Sequence, residues 1–108
     1  MVRRYQDLVV WQKAMELVTD VYECSRKFPK EEIYGLTGQL RRSAVSIPSN
    51  IAEGQGRLST GEFLQFLGHS RASLNEAETQ IQVARNLRYL QEEDFDRLMG
   101  RPQRLGGS

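Results

Sequence analysis

The chain has 108 residues, which is enough for one modest hydrophobic core and too short for two domains. Fifteen Lys and Arg residues against fourteen Asp and Glu residues give a formal net charge of +1, far from the strongly basic balance of a dedicated nucleic-acid-binding protein. The single cysteine, Cys24, excludes an intramolecular disulfide. Neither a signal segment nor an apolar run of membrane-spanning length is present in the sequence, so we expect a soluble cytoplasmic protein.

The first predicted helix covers residues 5–27 and is apolar over much of its circumference. So wide an apolar surface indicates contact with more than one neighbouring helix, as in a bundle. Trp11 and Tyr22 lie on the apolar stripe, which favours core roles over stacking on bases. Phe28 and Pro29 end the helix, and a loop follows. The stripe consists of Leu8, Trp11, Met15, Val18 and Tyr22, with Val10, Ala14, Leu17 and Val21 beside them.

The second predicted helix contains a proline. Between positions 36 and 51 the apolar residues recur in steps of three or four, which places them on one helical face. Pro48 has no N–H to donate to the carbonyl of Ala44, so we expect a kink there, with the hydroxyl of Ser43 or Ser46 bonded to the freed carbonyl. Two short helices joined at residues 46–50 are the alternative, because the residue before a proline disfavours the α region.

Gly54 and Gly56 are predicted to end the second helix as C-terminal caps, and Ser59 with Glu62 forms the capping-box pattern that opens the next helix. The third predicted helix covers residues 60–90. Its apolar and small residues form a heptad seam, whose small members allow a neighbouring helix to approach closely. The seam consists of Phe63, Leu67, Ser70, Leu74, Ala77, Ile81 and Ala84.

The C-terminal part predicts only a short fourth helix, EEDFDRLM at residues 92–99, before Gly100 and Pro102 end it. About two turns are too short to cover three long helices, so part of their apolar seam should be uncovered in a monomer. Either oligomerisation covers the seam, or the ending RPQRLGGS is an altered form of a longer terminus. We predict a four-helix-bundle domain at residues 1–99 and a flexible tail at residues 100–108.

Three motifs together carry a family resemblance: VWQKA in the first helix, QLRRSAVSIPSNIAEGQGR in the second and EFLQFL in the third. In order and spacing the chain resembles the four-helix-bundle proteins encoded within intervening sequences of bacterial 23S ribosomal RNA genes, over roughly residues 5–95. The resemblance implies an all-α, up-and-down four-helix bundle that assembles into a ring-shaped homopentamer. It also implies an association with nucleic acid, since a related protein is the accessory protein of diversity-generating retroelements. The short fourth helix departs from the family pattern, so no contact of that helix is carried over.

The second helix carries the candidate nucleic-acid-binding residues, Arg41, Arg42 and Arg57. Guanidinium groups form bidentate hydrogen bonds with phosphate, and a ring would repeat each arginine once per subunit. Ordinary salt bridging on a solvated face is the alternative. Taken together, the three arginines are our prediction for any contact with RNA or DNA.

Polar residues also gather around the predicted kink, at Pro48, Asn50 and Glu53. One interpretation is a polar site for a phosphate backbone or a partner. The favoured interpretation is a structural network that holds the bent helix and its subunit contacts, because buried polar groups must be paired wherever they occur.

No constellation of residues predicts catalysis. His69, the only histidine, has Ser73 one turn away but no orienting carboxylate at helical spacing. Cys24 lies near the apolar stripe, which indicates an inert packing cysteine. The GQG sequence at residues 54–56 lacks the lysine and hydroxyl of a phosphate loop, and no cysteine cluster has metal-site spacing. We predict a non-enzymatic protein without cofactor or metal, either a nucleic-acid-associated oligomeric adaptor or a protein–protein interaction scaffold without direct nucleic-acid contact.

Overall fold

The computed structural model describes residues 4–102, which form helices and connecting turns. The α-helices are α1 (Val9–Ser25), α2 (Leu36–Gln55), α3 (Thr60–Asn86) and α4 (Glu92–Leu98), and short 3-10 turns at Tyr5–Asp7 and Lys30–Glu32 precede α1 and α2. Residues 4–102 contain no strand, so the predicted all-α four-helix bundle is confirmed. None of these helices combines the length and the apolar character that crossing a membrane requires.

Helix α2 is the centre of the bundle. It packs against α1 on one side and most extensively against α3 on the other, whereas the Cα atoms of α1 and α3 stay more than 8 Å apart. Helix α4 contacts both α1 and α3 and closes the space between them at their C-terminal ends. Because α4 has only seven residues, the rest of that space is not covered by a fourth helix.

The core lies where the helices converge on α2, and α4 contributes to it. Among its largest fully buried side chains are Val21 of α1, Leu40 and Ile51 of α2, Ile81 of α3 and Phe95 of α4. Burial of each such side chain stabilises the fold by roughly 1.5–3 kcal/mol. The predicted seam of α3 is confirmed, since its residues from Ser70 to Ala84 are buried or half-buried against the core.

Helix α2 runs without interruption through Pro48, which is buried, so the interpretation as two short helices was wrong. The bend at Pro48 stays a prediction. The expected hydrogen bonds to the freed Ala44 carbonyl were also wrong, because both serine hydroxyls have other partners. The Oγ of Ser43 donates to the Gln39 carbonyl oxygen at 2.8 Å, and the Oγ of Ser46 lies 2.8 Å from the Oγ of Ser73.

The two glycines at the end of α2 have different roles. Gly56 is the C-cap, as predicted, although its φ of −82° lies in the ordinary helical region. The prediction that Gly54 is a cap was wrong, because Gly54 is buried inside α2. A Cβ atom built on Gly54 would lie 2.9 Å from the Cβ of Phe66 on α3, so the glycine permits a close approach of the two helices.

The ends of the other helices follow from local hydrogen bonds. Ser59 opens α3 as predicted, since its Oγ accepts a hydrogen bond from the Glu62 amide at 3.1 Å. Helix α3 ends at Asn86 rather than at position 90, because Arg88 adopts a left-handed φ of 65° and the amide of Tyr89 donates back to Ala84. Helix α1 is shorter than predicted at both ends. Its predicted first turn is a separate 3-10 turn, and the helix ends at Ser25 rather than at position 27.

The predicted short fourth helix is confirmed as α4, which ends at Leu98, two residues before Gly100 with its φ of +70°. Beyond that glycine, Arg101 places its guanidinium carbon 5.3 Å from the ring centre of Phe95. The predicted tail therefore begins in contact with α4, and its positions 103–108 lie outside the described residues.

Candidate nucleic-acid interface

Arg41 lies on α2, where it faces the C-terminal end of α1. Its Nε donates a hydrogen bond to Ser25 Oγ at 2.9 Å, and its Nη2 donates to the carbonyl oxygen of Tyr22 at 3.5 Å. Its guanidinium carbon lies 4.6 Å from the ring centre of Tyr22, a cation–π contact. No carboxylate within residues 4–102 pairs with Arg41. Neutral groups therefore fix the orientation of this charge without neutralising it.

The contact with Arg41 explains why one aromatic prediction was wrong. Tyr22 was expected in the core, but it is 40% exposed and supports the guanidinium of Arg41 instead. Trp11 does pack against the core, and its ring meets that of Tyr5 edge-on at 5.4 Å. Tyr22 and Trp11 both lie on the predicted apolar stripe of α1, and this stripe is wider than the surface that α2 covers.

Arg42 is the next residue along α2 and is exposed. Its side chain forms no hydrogen bond or ion pair with any residue in the described part of the chain. Its Nη1 lies over the preceding turn, 3.2 Å from where a Cβ atom on Gly38 would be. Arg41 and Arg42 are thus consecutive arginines, one anchored and one exposed, and neither has a carboxylate partner within residues 4–102.

Arg57 lies apart from that pair. It follows the C-terminus of α2, sixteen residues after Arg41, so the two are roughly 24 Å apart at the rise of an α-helix. Its Nη2 lies 3.4 Å from Glu53 Oε2, and its guanidinium carbon lies 4.4 Å from the ring centre of Phe66. The structure therefore brings Arg41 and Arg42 together and places Arg57 at the other end of α2, paired with a carboxylate.

The polar residues near Pro48 also separate into two sites. Asn50 Nδ2 donates to the carbonyl oxygen of Ser46 at 2.8 Å and to its Oγ at 2.9 Å, and that Oγ contacts Ser73 of α3. Asn50 thus takes part in a hydrogen-bonded connection between α2 and α3, in line with the structural interpretation. Glu53 has a 62% exposed side chain and pairs with Arg57, so it is not part of this network.

A second polar cluster on the same interface was not predicted. The Oγ of Ser43 lies 2.7 Å from Glu76 Oε1 and 2.8 Å from Gln80 Oε1, in addition to its bond with Gln39. A hydroxyl has one proton, so these three acceptors compete for it. The sequence signal for this cluster is a polar stripe on α3 at steps of three and four, Ser73, Glu76 and Gln80, beside the heptad seam.

The two candidate reactive residues lack a catalytic arrangement. His69 is exposed and packs edge-on against Phe66 at 5.9 Å between ring centres, while Ser73 bonds to Ser46. Cys24 is buried, and this burial raises the pKa of its thiol, which accepts a hydrogen bond from Arg97 Nη2 at 3.2 Å. Within residues 4–102, no three His, Cys, Asp or Glu side chains are grouped so that they could hold a metal ion.

An apolar groove runs between α1 and α3, where α2 forms its floor. It consists of two adjoining cavities of about 400 and 380 Å³, which share Val10, Ile47 and Leu74. Leu98 of α4 and Met99, the residue that follows it, line one end of this groove. Val10 is 54% exposed and therefore marks the part that no helix of the same chain covers. The sequence predicted an uncovered apolar seam because the fourth helix is short, and the α1–α3 groove is that seam.

Comparison with known proteins identifies one family. A family model described as 23S rRNA-intervening sequence protein matches residues 6–107, which include α1 to α4 and the three motifs quoted above. The comparison with curated proteins found no significant match.

Proposed function

The chain belongs to the 23S rRNA-intervening sequence protein family, and from this premise we propose that it is a non-enzymatic, oligomeric helical bundle that associates with nucleic acid. The observation that carries the proposal is the pair of consecutive arginines Arg41 and Arg42, which have no carboxylate partner in the described chain. Phosphate oxygens are suitable partners for such a pair. The family name refers to ribosomal RNA genes, so RNA is the first nucleic acid to test. A cytoplasmic location in a bacterial cell is part of the same proposal.

The distribution of ion pairs supports this proposal. Of the cations between positions 26 and 42, one pairs with a carboxylate, Lys27 with Asp94 at 3.7 Å. The others in that interval are Arg26, Lys30, Arg41 and Arg42. By contrast, Arg57, Arg85 and Arg97 each pair with an acidic residue. Positions 26–42 therefore carry five cations against two carboxylates, Glu31 and Glu32, although the formal net charge of the chain is only +1.

Oligomerisation follows from apolar surface that a monomer leaves in water. The α1–α3 groove is concave, and elsewhere on the chain Tyr34 and Leu58 protrude with relative exposures of 94% and 102%. A protruding apolar side chain of one copy can enter the groove of the next copy, which is a head-to-tail contact. Such contacts close into a ring when the rotation between successive copies is a whole fraction of a turn. We propose that the partner in the groove is a second copy of this chain and that the ring is a pentamer. Each subunit then adds one Arg41–Arg42 pair to a belt of positive charge.

Binding to single-stranded RNA over a salt series tests the nucleic-acid proposal. Because phosphate contacts release counterions, the association constant should fall steeply as salt increases, by roughly 0.7 log units per contact for each tenfold increase in salt. Arg41→Gln with Arg42→Gln should weaken binding at moderate salt and leave the helical circular dichroism unchanged. Arg57→Gln removes one positive charge, which is already paired with Glu53, so its effect should be much smaller.

A protein–protein interaction scaffold is the second candidate function, and the apolar α1–α3 groove is the observation that favours it. This alternative predicts no measurable affinity for RNA or DNA even at low salt. It also predicts that the arginine variants behave like the wild-type protein in every assembly assay. Absence of nucleic-acid binding in the salt series would therefore replace the first proposal with the second.

A further inference from the structure

A separate cavity of about 460 Å³ opens where the end of α1 meets the beginning of α2. Its lining includes three cationic side chains, two hydroxyl groups and an aromatic ring: Arg26, Lys30, Arg41, Ser25, Thr37 and Phe28. Among residues 4–102, no carboxylate lines it. The volume lies in the range of small-ligand sites, and the one-sided charge selects for an anion.

Thr37 provides an independent indication that this cavity takes a ligand. The residue is 2% exposed, and its Oγ1 has no hydrogen-bond partner. Buried hydroxyl groups are nearly always hydrogen-bonded, because an unpaired one loses its bonds to water without compensation. A ligand oxygen bound in this cavity would provide an acceptor for Thr37.

The cations of the cavity are available to such a ligand. Arg26 and Lys30 are exposed, and their side chains form no hydrogen bond or ion pair with residues 4–102. Arg41 is held by Ser25, and no carboxylate in the described part of the chain neutralises its charge. One oriented guanidinium, two exposed cations and an unpaired hydroxyl match a group that has several acceptor oxygens and negative charge, and phosphate has both.

We propose that the cavity formed by Arg26, Lys30, Thr37 and Arg41 is a binding site for a phosphate group. The cavity is larger than a phosphate, and the Phe28 side chain adds an apolar wall, so the phosphate is expected to belong to a nucleotide. That nucleotide is either free or the end of a nucleic-acid strand. The second source rests on the proposed function, whereas the first is independent of it.

The experiment titrates the ¹⁵N-labelled protein with inorganic phosphate, then with adenosine monophosphate, and follows the amide signals of residues near Thr37. Saturable shifts with either probe are expected, and Arg26→Gln with Lys30→Gln should raise the dissociation constant about tenfold. Lys27→Gln is the matched control, because it removes a neighbouring charge that pairs with Asp94 and does not line the cavity. Thr37→Val should weaken binding severalfold while the protein stays folded with an unchanged or higher melting temperature, since it removes an unpaired buried hydroxyl.

Two RNA oligonucleotides distinguish the sources of the phosphate. Tighter binding of a 5′-phosphorylated strand than of the same strand with a 5′-hydroxyl assigns the cavity to a strand end, and equal binding of the two strands with saturable adenosine monophosphate binding assigns it to a free nucleotide. Equal shifts with acetate, or no saturable shift near Thr37 with any phosphate probe, would overturn the proposal. If RNA binds but phosphate probes cause no amide shifts near Thr37, the phosphate-site proposal alone is overturned. If phosphate probes cause these shifts but RNA does not bind, the proposed nucleic-acid function alone is overturned.

Discussion

The hydroxyl of Ser70 on α3 donates a 3.0 Å hydrogen bond to the carbonyl oxygen of Ile47 on α2, the residue immediately before Pro48. Both side chains are buried. Asn50 Nδ2 likewise donates to the Ser46 carbonyl oxygen. Two successive carbonyls just before the proline, those of Ser46 and Ile47, therefore accept hydrogen bonds from side chains. The interface between α2 and α3 is therefore stabilised by polar bonds as well as by apolar packing.

Replacing Ser70 tests how much this hydrogen bond contributes. Ser70→Ala should lower the free energy of unfolding by about 1 kcal/mol, because one buried hydrogen bond is lost. Ser70→Val should cost more, about 1–3 kcal/mol, since added methyl groups force α2 and α3 apart. Urea denaturation followed by circular dichroism measures both. Ser49→Ala is the control, because Ser49 is exposed and bonds within its own helix, and equal losses at the two serines would contradict the argument.

Gly54 offers a test of the close approach between α2 and α3. An alanine normally stabilises a helix interior relative to glycine by about 0.5–1 kcal/mol. At Gly54 the new Cβ would lie 2.9 Å from the Cβ of Phe66, so we expect Gly54→Ala to destabilise the protein by about 1–3 kcal/mol. Gly68→Ala is the matched control on α3, where nothing lies within 4 Å, and it should raise stability. Thermal melting of both variants should show shifts of opposite sign.

These two positions show what the sequence could and could not predict. The heptad spacing predicted that Ser70 lies on a close seam, because helical periodicity alone places it there. The role of Gly54 was missed, since the sequence around a glycine near a helix end is the same whether the glycine caps the helix or allows another helix to pack closely against it. Deciding between these roles requires the position of Phe66 on another helix, and local sequence does not contain that distance.

The candidate site shows the same division. Arg41 could be selected from its residue type, but its partner Ser25 could not, because the two residues meet only after the chain turns between α1 and α2. Arg57 was grouped with Arg41 because both belong to one polar helix. Helical rise separates them by roughly 24 Å, which the sequence does allow one to calculate.

Cys24 provides a test by pH. Desolvation by burial, with smaller contributions from Asp94 and Asp20, raises the pKa of its thiol, while the hydrogen bond and charge of Arg97 oppose this shift. A raised pKa in the folded state means that the stability contribution is complete below the unfolded pKa and is lost as pH rises through the folded value. We therefore expect the free energy of unfolding to decrease above about pH 9, near the ordinary thiol pKa.

The control for this pH effect is Cys24→Ala, which should remove part of the alkaline loss. The remainder is expected from Tyr89, whose pKa is also raised because its hydroxyl donates to Glu32 Oε2 at 2.9 Å. Denaturation curves between pH 7 and 11 of both proteins measure the difference. An identical pH dependence of the unfolding free energy for Cys24→Ala and wild type would show that folding does not raise the pKa of the Cys24 thiol.

The α1–α3 groove leads to a prediction about assembly. Val10→Asp should produce a monomer that stays helical, because Val10 is 54% exposed in the single chain and an acidic residue is favourable in the first turn of a helix. Val45→Asp is the control, since Val45 is 39% exposed and does not line the groove. Light scattering at micromolar concentration measures the mass of each variant. A wild-type protein that is a folded monomer would disprove the role assigned to the groove.

Pro48 tests the relation between the second helix and the assembly. In Pro48→Ala the new amide can donate to the Ala44 carbonyl, and the Ser46 and Ile47 carbonyls keep their donors from Asn50 and Ser70. We therefore expect normal helicity and a change in unfolding free energy of only about 1 kcal/mol, because the gained helix propensity offsets the lost packing of the buried ring.

The same substitution should alter the assembly, because a straighter α2 changes the position of Arg41 relative to Arg57 and so the angle between neighbouring copies. Light scattering gives the subunit number, and small-angle X-ray scattering gives the dimensions of the particle. Ser49→Ala, at the neighbouring exposed position, should leave both unchanged. A Pro48→Ala protein that unfolds, or one that assembles with unchanged mass and dimensions, would show that Pro48 does not set the geometry of α2.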